Sequence, residues 1–188
     1  MDCLVIIDVQ KGFLNNNTKD IPKKIMELVN KKKFDNIVAT KFQNINGGPF
    51  VNLMKWNKML DNKSQELDEN IKKTVDKVFV KNVYSCFTTD FLSFIEKKKI
   101  DKLYFVGIDT EGCVLKSAID CFERNIKLEV LINYCASTSG ILFHNAGITV
   151  MEKTLGIHLL NKIIWWNFIF RIIKNFLPYY VLYNIYLW

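Results

Sequence analysis

Three residues of this chain carry groups that could do covalent chemistry together. Asp8 closes the apolar run VIID, Lys81 closes VFVK, and Cys113 sits in GIDTEGCV, just past a further apolar run. A thiol attacks as its thiolate, and a free one, with a pKa near 8.5, is mostly protonated at neutral pH. A nearby ammonium and a helix N-terminus both stabilise the thiolate. Lys81 is therefore the candidate activator, and the expectation is a thiol of lowered pKa. Asp8 is the candidate for taking the thiol proton and later returning one to a leaving amine. The glycines of GIDTEGC let backbone N–H groups approach a developing oxyanion closely. Each residue also has a plainer reading: a buried Cys is commonly an inert small hydrophobe, and an Asp at a strand end is commonly a cap.

The three can meet only if separate elements deliver them to one place. Short apolar runs recur at 3–9, 36–40, 77–81, 102–108 and 127–132. Stretches with helical spacing lie between or beyond them, at 21–33, 88–99, 113–124 and 139–153. In 113–124 the apolar positions Val114, Leu115, Ala118, Ile119 and Phe122 share one helix face, with Lys116, Asp120, Glu123 and Arg124 opposite. Runs without polar alternation fit strands buried on both faces, as parallel strands are. The alternation argues an α/β sandwich with right-handed crossovers. In such sheets ligands bind beyond the carboxyl ends of the strands, where Asp8, Lys81 and Cys113 would lie. Residues 42–66 break the rhythm and hold the Gly-Gly-Pro cluster. So long a connection is either a wall of a site or an excursion packed by Phe50, Leu53, Met54 and Trp56.

With 188 residues, 49% hydrophobic and 24% charged, the chain suits one domain with a sizeable core. Its net charge of +7 comes from 24 Lys and only two Arg, alongside 19 Asn. Nucleic-acid readers favour Arg for bidentate contacts, so nucleic-acid binding is not expected. The five cysteines, Cys3, Cys86, Cys113, Cys121 and Cys135, contain no CxxC pair, and MDCLVIIDVQ is not expected to act as a signal peptide. A reduced, cytoplasmic protein with free thiols is expected. We divide the chain into a domain over residues 1–160 and a tail over 161–188. From Ile163 onward, 20 of 26 residues are apolar and none is acidic. Arg171, Lys174, Asn175 and Pro178 interrupt this segment, which is a poor match to the roughly 20 apolar residues of a membrane span. A helix packed on the domain, a membrane-surface element and a non-native C-terminus remain open; the last is favoured, and membrane contact is the lesser expectation.

Four segments in order carry a family resemblance: DVQKGF at 8–13, KNVYSCF at 81–87, GIDTEGCVLKSAIDCFE at 107–123 and NYCASTSGILFH at 133–144. Together, over about residues 2–158, they resemble the isochorismatase-like cysteine hydrolases. The resemblance implies a three-layer α/β/α sandwich with a six-stranded parallel sheet. It implies an Asp–Lys–Cys triad of Asp8, Lys81 and Cys113 that hydrolyses small amide, carbamoyl or ureido compounds through a thioester. It also implies a cis peptide at Ile108–Asp109, and an oxyanion hole from the N–H groups of Asp109 and Cys113. Where many members read Ala-Thr-Asp, this chain has Asp109-Thr110-Glu111, and two acids beside the thiol would oppose its ionisation unless they point away. Nicotinamidases of this family hold a metal through a TxDxH pattern after the second strand. Here that stretch reads TKFQN, from Thr40 to Asn44, and the only histidines are His144 and His158. No metal and no cofactor are therefore expected, and a nicotinamidase-like amidase is the runner-up. Isochorismatases proper usually lack the nucleophilic Cys. A small-molecule amide-type substrate and a homo-oligomer are expected; a catalytically silent binding protein on the same fold is the rival of another class.

Overall fold

The apolar runs at 3–9, 36–40 and 102–108 become strands because they are largely buried on both faces, which leaves their backbone groups only neighbouring strands as partners. The run at 77–81 pairs as a half-exposed edge strand. The computed structural model describes residues 1–161. The tail assigned to 161–188 thus lies, from residue 162, outside the described residues. Six strands form one sheet: β1 (Asp2–Ile7), β2 (Asn36–Phe42), β3 (Lys77–Lys81), β4 (Lys102–Ile108), β5 (Lys127–Ala136) and β6 (Leu160–Asn161). Their order is β3-β2-β1-β4-β5-β6, and every pair is parallel. The chain winds outward from β1 in one direction and then from β4 in the other, so the switch point lies between these two strands.

Alternation along β1 sends side chains to both layers. Cys3, Val5 and Ile7 enter one core with α5 (Thr89–Lys98), α6 (Leu115–Glu123) and α7 (Ile141–Leu155). Leu4 and Ile6 enter the other, with α1 (Ile21–Lys31) and α4 (Glu69–Thr74). Each fully buried Leu, Ile or Phe of these cores contributes roughly 1.5–3 kcal/mol relative to exposure. Helix starts follow local chemistry. Thr88 caps α5 by accepting from Phe91 N–H, and Asp68 caps α4 through Asn70 and Ile71 N–H.

Three local readings are amended. The helix expected from residue 113 begins at Leu115, preceded by a wide π-type turn over Thr110–Val114. Strand β5 runs on to Ala136, past the end of its apolar run. Residues 42–66 contain two short helices, α2 (Pro49–Asn52) and α3 (Asn62–Gln65). They are a cavity wall and only in part the expected packed excursion: Phe50 and Met59 join Phe42 in a small third core, against which Phe13 and Trp56 pack, whereas Leu53 and Met54 stand exposed. Gly107 shows how tightly the switch point closes. Its φ is +124°, and a Cβ there would fall 2.1 Å from the carbonyl oxygen of Ile7. Only glycine lets β4 approach β1 at this height.

Candidate active site

Asp8 is the first residue beyond β1, and its backbone adopts φ 49° in the left-handed region. That conformation is strained for a residue with a Cβ and persists where surroundings over-determine it. Thr40 on β2 supplies the restraint. Its hydroxyl donates to Asp8 Oδ1 at 2.6 Å and accepts from Asp8 N–H at 3.1 Å. Lys81 Nζ lies 2.7 Å from Asp8 Oδ2, with both side chains fully excluded from solvent. The same ammonium donates to the carbonyl oxygens of Val83 and Tyr84, at 2.9 and 3.1 Å. It reaches Cys113 Sγ at 3.4 Å. Carboxylate, ammonium and thiol, expected at three separate strand ends, are thus in contact.

Their charge states follow from competition. Burial works against the Lys81 charge, but Asp8 first and the thiol second outweigh it and hold the ammonium above its ordinary range. For Cys113 the balance tips the other way. Burial, and then the charge of Asp8, push the thiol well above its usual value, and the Lys81 ammonium offsets only part of this. This direction runs against the expectation of a lowered pKa: burial and the Asp8 charge outweigh an ammonium that is shared with Asp8. The other four cysteines are buried as well. Burial lifts Cys3, Cys86 and Cys135 to about 12.

The peptide Ile108–Asp109 is cis. Beyond it the turn closes on Asp109, whose carbonyl accepts from Gly112 and Val114 N–H, both at 3.1 Å. The two acids near the thiol face β5's end instead. Asp109 accepts from Thr138 N–H at 2.5 Å and from its hydroxyl at 3.0 Å, and Glu111 accepts from Ser137 Oγ at 2.6 Å. Burial pushes the Asp109 carboxyl up to about 6, with Glu111 and Asp8 adding to the effect and Thr138 opposing it. Helix α7 backs this turn. A Cβ on Gly147 would meet Glu111 Cα at 2.7 Å, and His144 Nδ1 is 2.7 Å from Thr110 Oγ1. His158 is exposed on the short turn Ile157–Leu159.

Cys113 opens onto a cavity of about 360 Å³ whose walls include Phe13, Phe42, Phe50, Trp56 and Tyr84. Phe13 stacks on Trp56 with ring centres 6.3 Å apart, and Phe42 meets Phe50 edge-on at 4.8 Å. Two positioning residues escaped the sequence reading. In the sequence Thr40 stands only at the head of the TKFQN stretch, and nothing there announces its contact with Asp8. Gln10, fully buried, donates to the carbonyls of Phe42 and Gln65 and accepts from Phe42 N–H, tying β2 and the 42–66 segment to the end of β1. Its signal was an uncharged amide placed directly after an apolar run.

The donor set after β2 does not fit a metal ion. Thr40 is engaged with Asp8, Phe42 contributes a ring, and the Asn44 amide donates to the carbonyls of Trp56 and Lys58. Among the described residues no group of three His, Cys, Asp or Glu could hold one. Nor, among them, is any helix long and apolar enough to cross a membrane.

The chain is similar to known proteins. Isochorismatase family protein 1B of Dictyostelium discoideum is 27% identical over 143 residues, 72% of this chain and 63% of that protein. The chain thus spans less than two thirds of that relative's length. Nicotinamidase of Saccharomyces cerevisiae is 37% identical over 71 residues, 33% of either chain. The structure of PnC1 from L. infantum in complex with nicotinate superposes with a TM-score of 0.74 at 16% identity, covering 86% of this chain and 92% of that one. The sheet order agrees with the fold implied by the four ordered segments, and the model of the isochorismatase domain matches residues 2–161. This chain therefore belongs to the isochorismatase family.

Proposed function

We propose that this chain is a cysteine hydrolase that cleaves the C–N bond of a small amide, carbamoyl or ureido compound. The observation that carries this reading is the contact of one carboxylate, one ammonium and one thiol, Asp8, Lys81 and Cys113, at the buried end of an aromatic-walled cavity. In the proposed reaction Cys113 Sγ attacks the carbonyl carbon as Asp8 takes the thiol proton. The N–H groups of Asp109 and Cys113 receive the oxyanion beside Ile108. Asp8 then protonates the leaving nitrogen; the C–N bond breaks and a thioester remains on Cys113. Water, deprotonated by Asp8, attacks the thioester; the C–S bond breaks, the acid leaves and the proton returns to sulfur. Lys81 holds the Asp8 carboxylate in place and balances its charge throughout.

The test is a panel of primary amides, carbamoyl compounds and ureides, read by product release and by intact mass for an acyl adduct. Turnover of at least one member, lost by roughly a thousandfold or more in Cys113→Ala, is the expected outcome; removal of catalytic nucleophiles has effects of that order. A folded wild-type protein that turns over nothing and forms no adduct returns the site to the silent binding role. Nicotinamide belongs in the panel, because the match to the yeast nicotinamidase favours it as a second substrate reading. In this proposal the enzyme acts in the cytoplasm as a homo-oligomer. The exposed Ile141, Leu142 and Phe143 at the start of α7 support self-association, which light scattering measures directly.

A further inference from the structure

One side of the cavity is polar, and the groups there are largely engaged with one another. Thr138 gives its N–H and its hydroxyl to Asp109, and its carbonyl accepts from the side-chain amides of Asn15 and Asn17. Asn15 Oδ1 in turn accepts from Asn17 N–H. The Asp109 carboxyl is the exception. An ionised carboxylate offers about four acceptor sites over its two oxygens, and Thr138 takes one on each. Among the described residues nothing else donates to it, and no cation lies within ion-pair distance of it. Asp109 lines the cavity beside Gly112 and Cys113. Gly112 has no side chain to cover it: a Cβ there would stand 3.7 Å from Asp109 Cβ and 3.9 Å from the Tyr84 ring, in space that is open. A half-buried carboxylate without a cation is costly, and its raised pKa of about 6 records that cost. A donor on a ligand offsets it.

Resting on the hydrolase reading above, we propose that Asp109 determines specificity through its side chain, and that the substrate is a ureido compound, R–NH–CO–NH2, whose inner N–H donates to this carboxylate. One residue then serves two neighbouring atoms of the substrate. With the carbonyl oxygen at the Asp109 N–H, the next atom on the cavity side lies within reach of the short side chain of the same residue. A methylene at that place offers the carboxylate nothing. The ether oxygen of a carbamate ester meets it with lone pair against lone pair. The terminal NH2 is the leaving group and takes its proton from Asp8; the inner nitrogen stays on the enzyme as Cys113 Sγ–CO–NH–R. The reaction balances: the C–N bond yields to a C–S bond and ammonia leaves. Water then breaks the C–S bond, sulfur recovers its proton, and the carbamic acid R–NH–COOH departs and loses carbon dioxide to give the amine.

Two measurements on the full chain test this with butanamide, ethylurea and ethyl carbamate, which match in length and differ only in the CH2, NH or O beside the carbonyl. The first is protection of Cys113 from iodoacetamide at one fixed pH, read by peptide mass spectrometry, and it needs no turnover. Ethylurea should protect the wild type at concentrations roughly ten- to a hundredfold below the other two, the range of a hydrogen bond to a charged acceptor. Asp109→Asn keeps the shape but replaces one acceptor oxygen by a donor, and should erase most of this difference. Thr138→Val removes a hydroxyl that anchors the carboxylate but leaves the acceptor in place, and should preserve it. Equal protection by the three compounds in the wild type overturns the proposal, and so does a preference that survives in Asp109→Asn or falls equally in Thr138→Val. The second measurement is turnover. The ratio of kcat/KM for ethylurea over butanamide, divided by the same ratio in Asp109→Asn, cancels the intrinsic reactivity of the two compounds and should exceed about tenfold. If the preference in protection holds while none of the three is hydrolysed, the Asp109 assignment stands and the hydrolase reading fails. Turnover with selectivity unchanged in Asp109→Asn keeps the hydrolase reading and removes Asp109 from substrate choice.

Discussion

One buried ammonium serves two anions-in-waiting at this site, and it is already committed to one of them. Lys81 lies 2.7 Å from Asp8 and 3.4 Å from Cys113. In the proposed reaction the carboxylate charge that accepts the thiol proton also raises the cost of losing it, and so separates two readouts that would otherwise move together. Asp8→Asn removes a charge that pushes the thiol up and leaves Lys81 to face the sulfur alone. The thiol pKa should fall, so alkylation of Cys113 at pH 7 should be faster than in wild type. Hydrolysis should drop by roughly 10²–10⁴, the usual contribution of a general acid–base group. Lys81→Met should move alkylation the opposite way, because the ammonium pulls the thiol down. Iodoacetamide labelling across pH 6–10, resolved by peptide, separates these cases. Coincident profiles for the wild type and both variants would mean that neither charge acts on the sulfur.

At the scale of elements, the turn that carries Cys113 is shaped from behind by α7. Gly147 sits where a Cβ would lie 2.7 Å from Glu111 Cα and 2.8 Å from its nitrogen, both backbone atoms with no rotamer to escape through. Gly147→Ala must therefore push the helix and the turn apart. Overpacking of this kind costs about 1–3 kcal/mol, and for a chain of this size each kcal/mol lowers Tm by about 2–4 °C. Thermal unfolding followed by circular dichroism measures the loss, and an unchanged Tm would show that the contact does not constrain the turn. The neighbouring contacts lead the same way. Thr110 meets His144, and Asp109 and Glu111 meet Thr138 and Ser137. Asp109 and Glu111, acids that would oppose the thiol unless they point away, are tied to the end of β5.

Across the whole molecule the Asp8–Lys81 pair also bears on stability. Lys81→Met keeps most of the stem's volume, yet it strands a carboxylate with no exposure to solvent. Removing one partner of such a pair costs about 3–5 kcal/mol, a large share of the 5–15 kcal/mol that holds a typical domain together. The single variant should unfold at markedly lower denaturant. The double variant Asp8→Asn, Lys81→Met should recover most of the loss, because no buried charge is left unpaired. Urea unfolding of wild type, both singles and the double closes the cycle. A double variant no more stable than Lys81→Met would refute the pairing as the source of the effect.

Much of this architecture is local information and can be read from the chain alone. Runs such as CLVIIDV and KLYFVGI are apolar on both faces, so they must be interior strands, and the helical stretches between them require parallel crossovers. Asp8, Lys81 and Cys113 each stand at the end of such a run, which places them on one edge of the sheet before any contact is known. The charge on the thiol is a different kind of quantity. It depends on which anion the Lys81 ammonium reaches first and on how much water the three groups lose. Gln10 and Thr40 acquire their roles only when β1 and β2 align to bring them to Phe42 and Asp8. The aromatic chamber needs Phe13, Phe42, Phe50, Trp56 and Tyr84 from separate segments to meet, and residues 42–66 have no periodicity that announces it. Strand and helix patterns arise from neighbours a few residues apart. Ionisation and cavity shape arise from distances between residues far apart in the chain, and those distances exist only once the sheet has closed.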